Sequence, residues 1–358
     1  MPVTEPLPAI SQDEVEHIHP VVRGGLALWA LILGFTMLMV GNGLNLAVIG
    51  VRMVDEGFDV QVSGIVMASY FAGFLLGPVM VIRWLSTVGH IRVFASLASL
   101  ASCVVLVHFV WVNPVGWAAL RFVFGFCMAG LYVVVESWLN DASTQRTRGR
   151  TLAVYMIASM GGLGLGQLLV ATGDPGEPVL FVVASVLVSL SFVPVALAAT
   201  TDAPPIKLSP KMGIREFLHL APTGFVGILF TGASHGILFG LAAVYATRAG
   251  FGSGATAAFL ALPSVGAIVF QWPIGLASDR LPRRGVILAV AVAAAGLAIA
   301  LAMTPEGGVA ALPLMFVLGG LTFPLYSLLL SHTLDRSPEG AGMGASGASL
   351  RVNGVGAV

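Results

Sequence analysis

Residues 115 to 139 form an apolar stretch that carries Arg121, Gly125, Met128, Tyr132 and Glu136. At about 100° per residue these positions fall along one stripe of a helix, and that stripe is expected to face a central cavity. A planar cation and a carboxylate on one stripe are suited to holding an anion and to exchanging a proton. Arg121 has two readings: it holds a substrate anion or tunes a nearby acid, or it is a structural arginine bonded to backbone carbonyls of adjacent helices. Glu136 lies within a turn or so of the end of the stretch. There it can exchange protons, or pair with Arg92, Arg148 or Arg150 as a clamp on helix ends. Asn42 and Asn45, three residues apart, share a face of the first apolar stretch, and Gln167 lies in the fifth. Neutral amides of this kind read a hydroxyl or a carboxylate, or simply join helices. His235, with Thr231 a turn earlier and Ser234 just before it on a neighbouring face, sits near the middle of the seventh stretch. Imidazole titrates near neutrality and suits a proton-linked role at that depth, the alternative being a lone histidine bonded to a neighbouring helix. Tyr155 and Tyr326 are further candidates for a cavity wall.

The elements that position these residues are long and apolar. Hydrophobic residues make up 57% of the 358 and charged residues 9%, whereas a soluble domain carries about 25% charged residues. Mean hydropathy is +0.95. This composition excludes an ordinary soluble enzyme. A membrane helix needs about 20 mostly apolar residues to cross about 30 Å of hydrocarbon. Ten complete windows of that kind occur, near residues 24 to 51, 60 to 82, 93 to 112, 115 to 139, 151 to 172, 179 to 199, 221 to 247, 255 to 277, 286 to 303 and 310 to 331. An eleventh begins near residue 341 and the sequence stops inside it, at Val358. Seventeen basic residues balance 17 acidic ones, so no basic field points to a nucleic-acid partner. Cys103 and Cys127 lie in apolar stretches and read as small buried hydrophobes. No zinc-type Cys/His spacing, nucleophile elbow or phosphate loop appears, so no enzyme, cofactor or metal site is expected.

Residues 200 to 220 form the one longer polar connection and divide the chain. A tail over 1 to 23 precedes a first set of six spans over 24 to 199. A second, incomplete set over 221 to 358 follows the linker. Duplicated six-helix halves are the expected organisation. With the N-terminus inside, only Arg52 and Arg248 of the 17 basic residues face out, while Arg121 and Arg351 lie within spans. That bias predicts a cytoplasmic N-terminus. Small residues at four-residue spacing, such as Gly73 and Gly77 or Gly162 and Gly166, are expected to let helix backbones approach closely.

After the eighth span the chain reads Gly275-Leu-Ala-Ser-Asp279-Arg280-Leu-Pro282-Arg283-Arg284. This resembles the loop motif G-x-x-x-D-R-x-G-R-R of the major facilitator superfamily, with Pro282 where glycine is usual. The first half keeps only Gly89 and Arg92 of that motif, with Ser86 in the place of the acid. Leu120-Arg121, Gly125 and Ala129-Gly130 resemble the family's fourth-helix arginine motif. Glu136-Ser-Trp-Leu-Asn140, Arg148-Gly149-Arg150 and Gly166-Gln167 resemble a poorly characterised bacterial branch. Gln167 stands where proton-linked drug exporters of the superfamily carry proline.

The resemblance implies an all-α membrane protein with the major facilitator fold, two six-helix bundles, cut short here in its last two spans. It also implies a secondary transporter of the inner membrane that moves a small organic solute by alternating access, with protons as the expected coupling ion and a monomer as the expected state. A membrane receptor or scaffold that retains the fold is the alternative. Glu136, Arg148 and Arg150 in the first half, and Asp279, Arg280, Arg283 and Arg284 in the second, are then expected to form ion networks that bias one conformer. Arg121, Asn42, Asn45, Tyr132, Gln167 and His235 are the expected cavity residues.

Overall fold

Proline, glycine and asparagine set where the helices begin and end. The computed structural model describes residues 20–142, 148–198, 212–305, 308–337 and 342–358. Side chains at 20–27, 140–142, 148–150, 152, 198 and 342–343 lie outside that description. The first five helices are α1 (Pro20–Asp55), α2 (Val60–Val88), α3 (His90–Val110), α4 (Pro114–Ala142) and α5 (Arg148–Leu168), the last continuing as a 3-10 turn over Leu169–Thr172. The sixth span is split into α6 (Pro178–Leu190) and α7 (Phe192–Ala198), and α8 (Ile214–Leu220) ends the linker. The seventh is split into α9 (Pro222–Gly240) and α10 (Ala242–Arg248). Then come α11 (Ser253–Arg280), α12 (Arg283–Ala302), α13 (Ala311–Leu334) and α14 (Gly342–Ala357). Pro114, Pro178 and Pro222 open their helices, where a missing N–H costs nothing. Asn113 caps α4, its Oδ1 accepting from the N–H groups of Val115 and Gly116, both at 3.0 Å.

The ten expected spans are all present as helices long and apolar enough to cross a membrane. Two details differ from expectation. The connection expected around residues 83 to 92 is a single residue, Gly89, because its φ of 88° lets the chain reverse at one position. The sixth and seventh spans are each broken, at Ser191 and at Leu241.

Both halves are built on the same contacts. Lipid is as apolar as leucine, so helices in a bilayer are held by close packing rather than by hydrophobic burial. Here α1 lies against α5, α2 against α4, α9 against α14 and α11 against α13. Glycine sets the approach. A Cβ on Gly73 would stand 1.9 Å from the Phe122 carbonyl oxygen, and one on Gly125 would stand 1.9 Å from that of Tyr70. The second half repeats this, with Gly266 on the Phe316 carbonyl and Gly319 on Pro263. Likewise Gly43 on Leu163 and Gly166 on Val40 are matched by Gly232 on Asn353 and Gly356 on Leu229.

The turns repeat too. Gly57 (φ 73°) and Gly250 (φ 77°) close α1 and α10, each followed by phenylalanine. Phe58 N–H reaches Met53 O at 2.9 Å and Phe251 N–H reaches Ala246 O at 3.1 Å, the Schellman pattern in both. By this correspondence Tyr132 is matched by Tyr326, Arg121 by Met315, Glu136 by Leu330, Asn42 by Thr231 and Asn45 by Ser234.

One end of the molecule carries α8, Gly89 and residues 280–284, and is called the linker face. The other carries Asp55, Trp111 and Arg248 and is called the far face. In the first half α6 fills the space between α1 and α3, with Gly41 against Val188 and Ser102 bonded to Ser185 at 2.7 Å. The matching groove between α9 and α12 is lined by Gly227, Ala291, Ala294 and Ala298 and encloses about 540 Å³.

Contacts between the halves involve α5 with α11, α1 with α10, and α2 with α14 and α9. Their close approaches lie in the middle or far parts of the helices: Gly50 on Ala243, Gly240 on Met67, Gly164 on Ser264 and Gly354 on Leu75. At the far face Arg248 Nη2 donates to the Phe58 carbonyl at 2.6 Å.

Candidate functional site

The α4 stripe passes through two environments. At its far end Arg121 is 1% exposed and Met128 is fully buried, because Gly125 brings the backbone of α2 onto the stripe. Tyr132 is half-buried; its hydroxyl donates to Met39 Sδ at 3.0 Å and its ring meets Phe35 and Phe74 edge-on. Glu136 is exposed although it lies within a span. It accepts a hydrogen bond of 2.7 Å from the hydroxyl of buried Tyr155 on α5, and it lies within electrostatic range of Tyr326 on α13. A carboxylate placed between those two helices and still exposed faces open space between the bundles. Only the linker half of the stripe therefore meets the expected cavity, and the covering α2 is the reason.

Arg121 is enclosed within the first bundle. Its guanidinium lies 4.7 Å from the Tyr70 ring centroid, and Nε, Nη1 and Nη2 have no hydrogen-bond partner. The backbone carbonyls that a structural arginine would use are not engaged. Asn42 lies beside the Tyr70 hydroxyl, and His108 lies within electrostatic range of Arg121. Asn45, one turn from Asn42, is 1% exposed with neither amide atom bonded. Toward the far face stands Trp117, fully buried, with the Phe58 ring at 5.3 Å and its Nε1 donating to the His108 carbonyl at 3.1 Å. A charge at mid-membrane costs about 2.5 to 3.5 kcal/mol on insertion scales, and a cation–π contact returns about 2 kcal/mol when desolvated. Tyr70 alone therefore leaves the arginine under-compensated.

The remaining expected residues are spread. His235 stacks on Phe323 at 4.7 Å beside Phe239, beside the Thr322 backbone, with Nε2 unbonded. Gln167 is 1% exposed and its Oε1 has no partner. Of the groups expected around Glu136, the described residues show the Tyr155 bond. Arg92 is exposed and in no ion pair among the described residues, and the side chains of Arg148 and Arg150 lie outside those residues.

The expected network around Asp279 is also differently wired. Asp279, Arg280 and Arg284 are exposed, while Arg283 pairs with Asp335 and its Nε donates to Ser278 Oγ at 3.2 Å. The cause is the break at Leu281 and Pro282, which turns Arg283 onto α12 and toward the end of α13. Arg351, expected within the eleventh span, reaches back to the Met212 carbonyl before α8. Tyr70, His108, Trp117 and Phe58 were not singled out by the sequence, and Arg248 was expected only to face out. The Gly-Phe dipeptide repeated at Gly57-Phe58 and Gly250-Phe251 was the available signal for Phe58. Among the described residues no group of three or more His, Cys, Asp or Glu side chains is placed to hold a metal ion.

Comparison with known proteins places this architecture. Residues 30–358 match the family described as Major Facilitator Superfamily. An uncharacterised MFS-type transporter of Yersinia pestis (strain Pestoides F) is 30% identical over 285 residues, covering 76% of this chain and 71% of that protein. Another, of Enterobacter sp. (strain 638), is 30% identical over 316 residues, covering 86% and 79%. Among solved structures, the nucleoside transporter NupG aligns with a TM-score of 0.74 at 15% identity, covering 93% of this chain and 88% of that one. A bacterial homologue of the human lysosomal transporter Spinster, inward-facing and unoccupied, gives 0.72 at 17% identity, covering 95% and 81%. A D-xylose-proton symporter gives 0.69 at 13%, covering 92% and 87%. An all-helical chain with ten membrane-capable helices, a duplicated glycine-packed scaffold and these relatives belongs to the Major Facilitator Superfamily.

Proposed function

We propose that this chain is a proton-coupled secondary transporter of the cytoplasmic membrane that moves a small organic solute by alternating access, with its N-terminus in the cytoplasm. The observation that supports this most is Glu136, a carboxylate within a span that is exposed between the bundles, bonded to Tyr155 and facing Tyr326 of the other half. Such a group exchanges protons with the side to which the gap opens. The bundles meet through small residues in the middle and far parts of their helices, so a rocking motion about that seam would alternate access. Tyr132, Tyr155 and Tyr326 line the solute's space, with Asn42, Asn45, Gln167, His235 and Arg121 behind or beside them. Arg283 and Asp335, with Asp279, Arg280 and Arg284 nearby, bias the conformers at the linker face. Residues on both sides of the 200–220 linker face the gap, and a monomer in the lipid bilayer is the state this reading assigns. Arg83, Arg92, Arg215, Arg280, Arg283 and Arg284 at the linker face support its cytoplasmic placement. The fold neighbours described above include a nucleoside transporter and a proton symporter, which supports the class and leaves the solute to experiment.

The test is counterflow in proteoliposomes with nucleosides, sugars and organic acids, followed by uptake under an imposed pH gradient. Gradient-driven accumulation in the wild type is expected to fall at least tenfold in Glu136→Gln while counterflow persists. Accumulation that ignores the gradient overturns proton coupling. Orientation is tested separately: Asp174→Cys, at the far face, should label from outside in intact cells, and labelling only after lysis reverses the topology.

A further inference from the structure

The first bundle encloses more hydrogen-bond donors than it can satisfy. Arg121 is 1% exposed, and all three of its side-chain nitrogens lack an acceptor. Among the described residues, the aromatic face set against it is that of Tyr70, which covers the plane of the guanidinium and leaves its edge N–H groups free. His108 uses Nδ1 on the Val104 carbonyl at 2.7 Å and leaves Nε2 unbonded. Asn42 lies beside the Tyr70 hydroxyl, and the Asn45 amide one turn away is unbonded at both atoms. Glu136 cannot act as counter-ion, because fifteen residues of helix separate it from Arg121 by about 22 Å. In the second bundle the matching position is Met315, also buried, so no acid is presented from the repeat.

We propose that Arg121, framed by Tyr70, Asn42 and His108, is an anion pocket that receives the carboxylate of a small monocarboxylic acid. This rests on the transport reading above and names its solute class. A guanidinium edge offers paired, parallel N–H groups that match a carboxylate, and stacking on Tyr70 fixes the plane in which those bonds form. A single cation selects a single negative charge. Trp117 and Phe58 close the pocket toward the far face, and the Phe58 carbonyl is held by Arg248 of the other bundle. The pocket is therefore sealed while the far face is closed, which keeps water from competing for the arginine.

The experiment is calorimetric titration of the purified protein with sodium benzoate, using benzamide as the neutral counterpart of the same shape and acetate as competitor. Saturable benzoate binding, displaced by acetate and at least tenfold tighter than benzamide, is expected. Arg121→Gln should weaken benzoate at least tenfold, Arg121→Lys should weaken it less, and Met315→Leu should leave it unchanged. Benzamide binding as tightly as benzoate, no saturable binding of either acid, or equal benzoate affinity in Arg121→Gln overturns the pocket. If Arg121→Gln does not fold, the wild-type comparison of benzoate with benzamide and the lysine variant still decide. Arg121-dependent benzoate binding without counterflow of any solute would retain the pocket and remove the transport reading. Counterflow of a neutral solute with no Arg121-dependent anion binding would do the reverse.

Discussion

The two bundles share a scaffold and differ in chemistry. Gly73 and Gly266, Gly125 and Gly319, Gly43 and Gly232, and Gly166 and Gly356 make the same backbone approaches. The Gly57-Phe58 and Gly250-Phe251 corners are the same turn. At matched positions, however, the first bundle has Arg121, Glu136, Asn42 and Asn45 where the second has Met315, Leu330, Thr231 and Ser234. Of the matched pairs only Tyr132 and Tyr326 are chemically alike. The scaffold tolerates change least where backbones touch, so both copies retain glycine there, while side chains aimed away from those seams are free to diverge. One half supplies charge, and the other supplies a largely apolar surface against which it works.

The largest effects should come from breaking what is shared. Gly73→Val and Gly266→Val each force a side chain onto a carbonyl oxygen 1.9 Å from the Cβ position. Each is expected to cost about 3 kcal/mol or more, at or above the usual range for overpacking, and to abolish folded protein in size-exclusion and thermal-unfolding assays. A variant that is severe in one half and mild in the other would deny the duplicated scaffold. By contrast Gly164→Ala, between the halves, meets Ser264 Cβ at 3.3 Å and should fold normally.

An intermediate effect should come from the half that carries the charge. Tyr155→Phe removes the hydrogen bond to Glu136 and should displace the pH profile of transport, whereas Tyr326→Phe, which makes no such bond, should leave it in place. Equal behaviour of the two would erase the functional difference between the bundles. The smallest effect is expected at the linker face. There the first bundle joins α3 to α4 through His90 and Ser137 at 3.2 Å, and the second joins α12 to α13 through Arg283 and Asp335. The second tie is partly solvent-exposed, so Arg283→Gln should change stability by about 1 kcal/mol or less, read as a small shift in unfolding temperature.

Much of the fold was legible because twenty-residue apolar windows and short polar loops are properties of the chain alone. The windows near 60 to 82 and 310 to 331, for example, appear as α2 and α13 with longer ends. The site was legible only in its residue types. That Arg121 and Glu136 share a stripe follows from helical periodicity. That one is sealed and the other exposed depends on Gly125 admitting the Tyr70 backbone, a contact between residues 55 positions apart whose geometry no local pattern carries. The same holds for Arg283, whose sequence neighbours include Asp279 but whose partner is Asp335, 52 residues on. Breaks at Ser191 and Leu241 were hidden because hydropathy does not register a change of backbone direction within an apolar run.

The paired corners bear on how the protein is made. Each joins two consecutive spans through bonds that reach only three to five residues back, from Gly57 to Val54 and Phe58 to Met53, and from Gly250 to Thr247 and Phe251 to Ala246. Closing so short a loop costs little chain entropy. The first and second spans, and likewise the seventh and eighth, can therefore enter the bilayer as preformed hairpins. The long-range glycine seams then assemble from units already oriented across the membrane.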